Sequence, residues 1–255
     1  MQVQNKVSLA VSETFYSIQG EGPTAGKPSL FLRLKGCNLT CGGKRTVKTG
    51  ELDSGATWRC DSIESWIQGE NYSADDMINQ WKKKNWLKQL KQNSHLIITG
   101  GEPLLHQKDL RLFIPYLIEK LDGTCPYIEV ETNGTITPHP ELDRFVSQYN
   151  ISPKLKNSGM PKNKRILAHP IEWFAKNKKS RFKFVVSNKD DIDESIKTFI
   201  LPFNLNNKHI YLMPASSSQA DIHQKSQDII KLCKIYGFSY SPRLQILLWD
   251  QATGI

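Results

Sequence analysis

The chain has 255 residues, 38% of them hydrophobic, and a formal charge of +9. That length allows a sizeable core, best read as a single domain over residues 1–255. No apolar run reaches the roughly eighteen residues of a membrane span, and the opening MQVQNKVSLAVSETF lacks the basic start and apolar stretch of a secretory signal, so a soluble, cytoplasmic protein with reduced thiols is expected.

Short apolar runs read as strands at 29–34 (SLFLRL), 95–99 (HLIIT), 127–131 (YIEVE), 151–154 (ISPK), 181–186 (RFKFVV) and 209–213 (HIYLM), with a last candidate at 244–249 (LQILLW). Helical spacing fills the gaps between them. It begins at Ser73, where Ser-x-x-Asp makes an N-cap and Met77, Ile78, Trp81 and Leu90 share one side; it returns over 104–121, 139–149, 190–200 and 221–238. Strand followed by helix, about six times, implies a parallel sheet with right-handed crossovers. Six units fall short of an eight-fold barrel, which leaves an open, incomplete barrel or a doubly wound sheet. The lysines are dispersed in short runs such as Lys82, Lys83 and Lys84, the pattern of a solvated helix face, so nucleic acid is not the expected partner.

The unusual residues fall where strands end. TGGEP (99–103), ETNGT (131–135), SPK (152–154) and MPASS (213–217) each follow a strand, and so does the stretch containing Cys37, Cys41 and Cys60. In parallel α/β folds that rim is where loops converge and ligands bind. One site lined by all five loops is expected.

Three clustered cysteines suit iron better than zinc. A structural zinc site takes four ligands, and no histidine occurs between residues 37 and 94. A cubane iron–sulfur cluster held by three thiolates keeps one iron open, able to chelate the amino and carboxylate groups of S-adenosylmethionine. Zinc completed by a distant ligand, Cys125 or a histidine, is the alternative, and a zinc-bound nucleic-acid module the non-enzyme reading. Cys125 and Cys233 read as buried bystanders.

GCNLTC, WRCDS and TGGEP resemble the radical S-adenosylmethionine superfamily, and ETFYSIQGEGPTAGKPSLFLRLKGCNL is similar to its 7-carboxy-7-deazaguanine synthases. The likeness continues through ETNGT, SPKLKNSG and SPRLQ. It implies an incomplete, modified (β/α) barrel, a homodimer, an electron donor such as flavodoxin or ferredoxin, and conversion of 6-carboxy-5,6,7,8-tetrahydropterin to 7-carboxy-7-deazaguanine with loss of ammonia. The implied cofactors are a [4Fe-4S] cluster on Cys37, Cys41 and Cys60, S-adenosylmethionine, and Mg2+ on Ser62. The pterin edge is assigned to Ile18, Gln19, Gly20, Glu21 and Thr99, and its carboxylate to Arg33, which alternation puts opposite Leu30, Leu32 and Leu34. S-adenosylmethionine is assigned to Gly101, Glu102, Thr132, Asn133, Ser152, Pro153, Lys154, Met213, Pro214, Ala215 and Ser216. A glycyl-radical activating enzyme would share the cluster but have no need of QGEG and Arg33. The plain alternative for Ser62 is a cap on the segment that follows it.

Two features depart from that family's pattern. Eighteen residues, not two, separate Cys41 from Cys60, which reads as a polar insertion over about 42–57, drawn as a hairpin. Gln245 stands where a histidine is common, and the C-terminal carboxylate, here that of Ile255, is the group that covers substrate in the family.

Overall fold

The structure, a computed structural model, describes residues 7–250, so Ile255 lies outside the described residues. β1 (Ser8–Ile18) turns back antiparallel onto β2 (Pro28–Leu34), and β3 (Glu70–Ser73) pairs antiparallel with the outer edge of β1. From β2 onward the sheet is parallel, through β4 (His95–Gly100), β5 (Ile128–Thr132), β6 (Gln148–Ile151), β7 (Ser180–Val186), β8 (Ile210–Pro214) and β9 (Ser239–Tyr240). The order is β3-β1-β2-β4-β5-β6-β7-β8-β9. Each parallel strand is added beyond the last and the order never reverses, so there is no switch point of the doubly wound kind. The open, incomplete barrel is the architecture.

Strand alternation divides the sheet into two chemical faces. Leu30, Leu32 and Leu34, Leu96 and Ile98, Ile128 and Val130, and Phe182 and Phe184 are buried in one core beneath the helices. Helix Ala74–Lys83 contributes Met77 and Trp81, helix Gln107–Lys120 contributes Phe113 and Leu117, and helix Gln219–Tyr236 contributes Ile229. Trp81 meets Phe113 edge-on at 5.9 Å, an arrangement that stabilises beyond area burial alone. The intervening positions, among them Arg33, Thr99, Glu129, Glu131, Asn150 and Lys183, face the concave side. That lumen is polar and charged.

Several expected elements differ. The run 244–249 is a helix, Leu244–Trp249, not a strand. β9 already occupies the edge beside β8, and Pro242, which has no N–H to donate, follows it; an uninterrupted apolar run does not by itself distinguish the two states. The segment after Ser73 is two helices, Ala74–Lys83 and Trp86–Lys91, divided at Asn85 with φ +61°. Its cap is as expected, Ser73 Oγ accepting from Asp76 N at 3.1 Å. Over 139–149 only the turn Pro140–Asp143 is helical, and Gln148 already begins β6, which ends at Ile151 before Ser152. β1, β3, β9 and helix Ala168–Lys176 were not anticipated.

The segment 42–57 is not a hairpin. It holds one helical turn, Thr46–Thr49, and the Asp53 carboxylate accepts from Lys44 N at 3.0 Å and Arg45 N at 2.7 Å. These bonds satisfy backbone donors locally, with no strand partner needed. Cys233 is buried, but Cys125 is exposed, because Asp122–Cys125 runs over the surface between helix and strand.

Candidate functional site

Four of the five rim loops are fastened to one another. Cys37 follows β2, and the TGGEP loop lies directly against it: a Cβ on Gly101 would come within 2.1 Å of the Gly36 carbonyl oxygen and 2.6 Å of Cys37 Cβ. Glycine there is demanded by the cysteine loop, not by a ligand alone. Glu102 N donates to Gly36 O at 2.9 Å. The buried Glu102 carboxylate accepts from Leu104 N at 3.0 Å, Thr132 Oγ1 at 2.9 Å and Asn133 N at 2.7 Å, stapling TGGEP to ETNGT. Burial raises this carboxyl to about 6 against the opposing pull of those bonds. Asn133 Nδ2 in turn donates to Asn38 Oδ1 at 2.8 Å, inside the cysteine loop.

The segment after β6 carries Lys154, whose ammonium donates to Ser152 Oγ at 3.0 Å and stands 5.6 Å from the Trp58 ring. Trp58 closes the 42–57 segment and donates to Asn157 Oδ1 at 3.0 Å. The 42–57 segment therefore rests on SPKLKNSG. Met213 and Pro214 end β8, Ala215 and Ser216 follow it, and all four are buried, with Ala215 N donating to Val186 O at 2.9 Å.

Cys41 lies in a small core with Leu39 and Met160, against which Cys37, Trp58 and Cys60 pack. Burial raises Cys37 to about 11 and Cys41 to about 12; the neighbouring Cys60 adds to the rise at both, and Cys37 adds to it at Cys41. Among the described residues no three His, Cys, Asp or Glu side chains form a group that could hold a single metal ion. As a donor set, three cysteines that pack on one small apolar core fit a multi-iron cluster, whose ligands sit on separate irons. Ser62 occupies the N-cap position of the turn Ile63–Trp66, yet its side chain makes no capping bond; its Oγ is 3.4 Å from Cys60 Sγ.

Below this rim the lumen is filled from the opposite edge. The turn between β1 and β2, residues 19–27, lies at the end where the parallel strands begin, and folds inward. Gln19, 2% exposed, donates to Glu131 Oε1 at 3.1 Å, and Thr99 Oγ1 donates to Glu131 Oε2 at 2.8 Å. Thr24 Oγ1 donates to Glu129 Oε2 at 2.8 Å. Ile18 pairs with Pro28 where β1 ends, and Gly20 is pressed against the tail: a Cβ there would lie 2.0 Å from Gln245 Oε1. Glu21 accepts from Lys183, from Arg243 Nε at 3.2 Å and from Gln245 Nε2 at 2.7 Å. Burial would raise Glu21, but the charges of Lys183 and Arg243 outweigh it and hold the carboxyl at about 2. Arg33 lies on the concave face as alternation predicts and pairs with Glu13 across β1 and β2 at 2.7 Å through Nε.

A curated relative from Pyrobaculum aerophilum, named 7-carboxy-7-deazaguanine synthase, is 32% identical over 248 residues, covering 96% of this chain and 97% of its own. The chain belongs to the 7-carboxy-7-deazaguanine synthase family. A Halobacterium salinarum relative of the same name is 30% identical over 268 residues, covering 96% of this chain and 92% of its own. The crystal structure of QueE from Escherichia coli shares the fold, with a TM-score of 0.59 at 22% identity over 92% of this chain and 93% of that one. No family model matches.

In this member of the 7-carboxy-7-deazaguanine synthase family the five loops follow strand ends, as the sequence predicts, whereas the contacts of Glu131, Lys183, Asp61 and Arg243 were not anticipated. Two of these carried a signal. A charged residue alternating with apolar ones, as in YIEVE and RFKFVV, marks a strand with one polar buried face. Asp61 and Arg243 meet across 182 positions, which no local pattern reports.

Proposed function

We propose that this chain catalyses the family reaction, the conversion of 6-carboxy-5,6,7,8-tetrahydropterin to 7-carboxy-7-deazaguanine with loss of ammonia. The carrying observation is the hydrogen-bonded lumen set of buried Gln19 and Thr99 on half-buried Glu131, below a rim that bears three cysteines. When bound, the cluster and S-adenosylmethionine supply the radical chemistry that removes a hydrogen from the substrate. Cys37, Cys41 and Cys60 would hold the cluster. Glu102, Thr132, Asn133 and Lys154, braced to the cysteine loop, would fix S-adenosylmethionine beside it.

The chain's own work is orientation and exclusion of water. A pterin edge presents both donors and acceptors, and Gln19, Thr99, Glu21 and Glu131 offer both kinds from a rigid floor. Arg33 uses Nε on Glu13, and among the described residues no hydrogen bond engages its Nη atoms, which leaves them for the substrate carboxylate. Thr24 on Glu129, and Gly22 N on Ser241 Oγ at 2.8 Å, close the lumen from beneath. The Ser62 hydroxyl, which makes no capping bond, would supply one oxygen donor to Mg2+, a hard cation that prefers oxygen ligands. The reading includes a homodimer, a flavodoxin or ferredoxin electron donor, and a cytoplasmic location; among the described residues no helix is long and apolar enough to cross a membrane.

Incubating anaerobically reconstituted protein with S-adenosylmethionine, reductant and the pterin tests this. Formation of the deazaguanine supports it; cleavage of S-adenosylmethionine with the pterin untouched points to another radical enzyme.

A further inference from the structure

Both oxygens of the Glu21 carboxylate are engaged, and one partner reaches well beyond it. Arg243 donates from Nε to Glu21 at 3.2 Å, from Nη1 to the Ser216 carbonyl and from Nη2 to Asp61 Oδ2. Its side chain is 8% exposed, whereas that of Asp61 is 65% exposed. One guanidinium thus joins three segments of different origin. Glu21 rises from the turn below the lumen, Asp61 stands between Cys60 and Ser62, and Ser216 ends the β8 loop.

We propose that Arg243 is a positioning residue that couples occupancy of the substrate site at Glu21 to the conformation of the loop bearing Cys60 and Ser62, acting through Asp61. This rests on the reading that Glu21 faces the pterin and Cys60 holds the cluster. The planar fork offers five donors in fixed directions, so it can serve three acceptors at once; a lysine ammonium cannot reproduce that spread. A buried cation must keep its charge compensated. When a substrate donor takes part of the Glu21 carboxylate, Arg243 leans more heavily on Asp61, its other carboxylate. The Cys60 loop is therefore held more tightly when substrate is present, and a ligand that draws on Glu21 stabilises that tighter state by its differential interaction with it. A purely structural Arg243 would pin the C-terminal segment to the same degree with or without substrate.

The test is hydrogen exchange by mass spectrometry on full-length reconstituted protein, with and without saturating 6-carboxytetrahydropterin. Substrate should slow exchange over residues 59–66 by about tenfold in the wild type, the scale of one charged hydrogen bond. Asp61→Asn, a change at an exposed side chain that leaves the fold intact, should bind the pterin yet lose that protection. It should also release more 5′-deoxyadenosine per product, because the loop bearing Cys60 is no longer tightened by bound substrate. Arg243→Gln should show the same loss with a raised substrate KM, and Arg243→Lys should restore only part of it. Equal substrate-dependent protection in wild type and Asp61→Asn overturns the coupling while leaving the functional reading standing. Failure of the wild type to bind the pterin overturns the functional reading and the coupling with it.

Discussion

Arg33 and Glu13 face each other across β1 and β2 and are joined by a 2.7 Å bond from Nε. The pairing fixes the guanidinium plane and leaves its outer nitrogens toward the lumen. Arg33→Lys keeps the charge but loses that fork. It should raise the substrate KM by about tenfold, the worth of one charge-assisted bond, while S-adenosylmethionine cleavage without substrate persists. Unchanged kinetics in Arg33→Ala would remove it from the substrate site.

Ser62 offers a clean test of the magnesium assignment because its hydroxyl makes no capping bond. Ser62→Ala should alter stability by less than about 0.5 kcal/mol and leave iron content unchanged, yet blunt activation by added Mg2+. Ser62→Thr should retain the activation. Equal activation in wild type and Ser62→Ala would exclude Ser62 as a ligand.

Cluster loading should follow the three packed cysteines. Protein prepared without oxygen should be brown with about four irons per chain, and Cys37→Ala, Cys41→Ala and Cys60→Ala should each lose the cluster. Cys125→Ala, at an exposed position, should keep it. Gly101→Ala should also lose iron, since its methyl would collide with the Gly36 carbonyl and Cys37.

Glu21 should govern acid stability. Its carboxyl is held at about 2 in the folded chain against an ordinary value of 4.5. A depressed carboxyl gives stability that is complete above the unfolded value and lost as pH falls through the folded one, so the loss should run from about pH 4.5 to 2. It amounts to about 3 kcal/mol. Glu21→Gln should flatten that part of the urea-unfolding profile and be less stable at pH 7, where Lys183 and Arg243 would lack their shared carboxylate.

What could be read without coordinates followed from local periodicity. Leu30, Leu32 and Leu34 gave the hidden face of β2 and hence the side on which Arg33 stands, and loops after apolar runs gave the rim. β1 escaped because its residues are mostly half-buried after Val11, so no clean alternation marks it. The inward fold of the Gln19–Lys27 turn was invisible because its partners, Glu131, Lys183 and Arg243, lie more than a hundred residues away. The 42–57 segment looked like a hairpin because glycines and polar residues announce turns, while its actual anchors, Asn157 and Ser158, belong to another strand's loop.

The central claim is best tested by mass balance. Reconstituted protein given S-adenosylmethionine, reductant and 6-carboxy-5,6,7,8-tetrahydropterin should yield 7-carboxy-7-deazaguanine and ammonia in equal amounts, with neither formed by Cys60→Ala. Consumption of S-adenosylmethionine with the pterin recovered intact would contradict it.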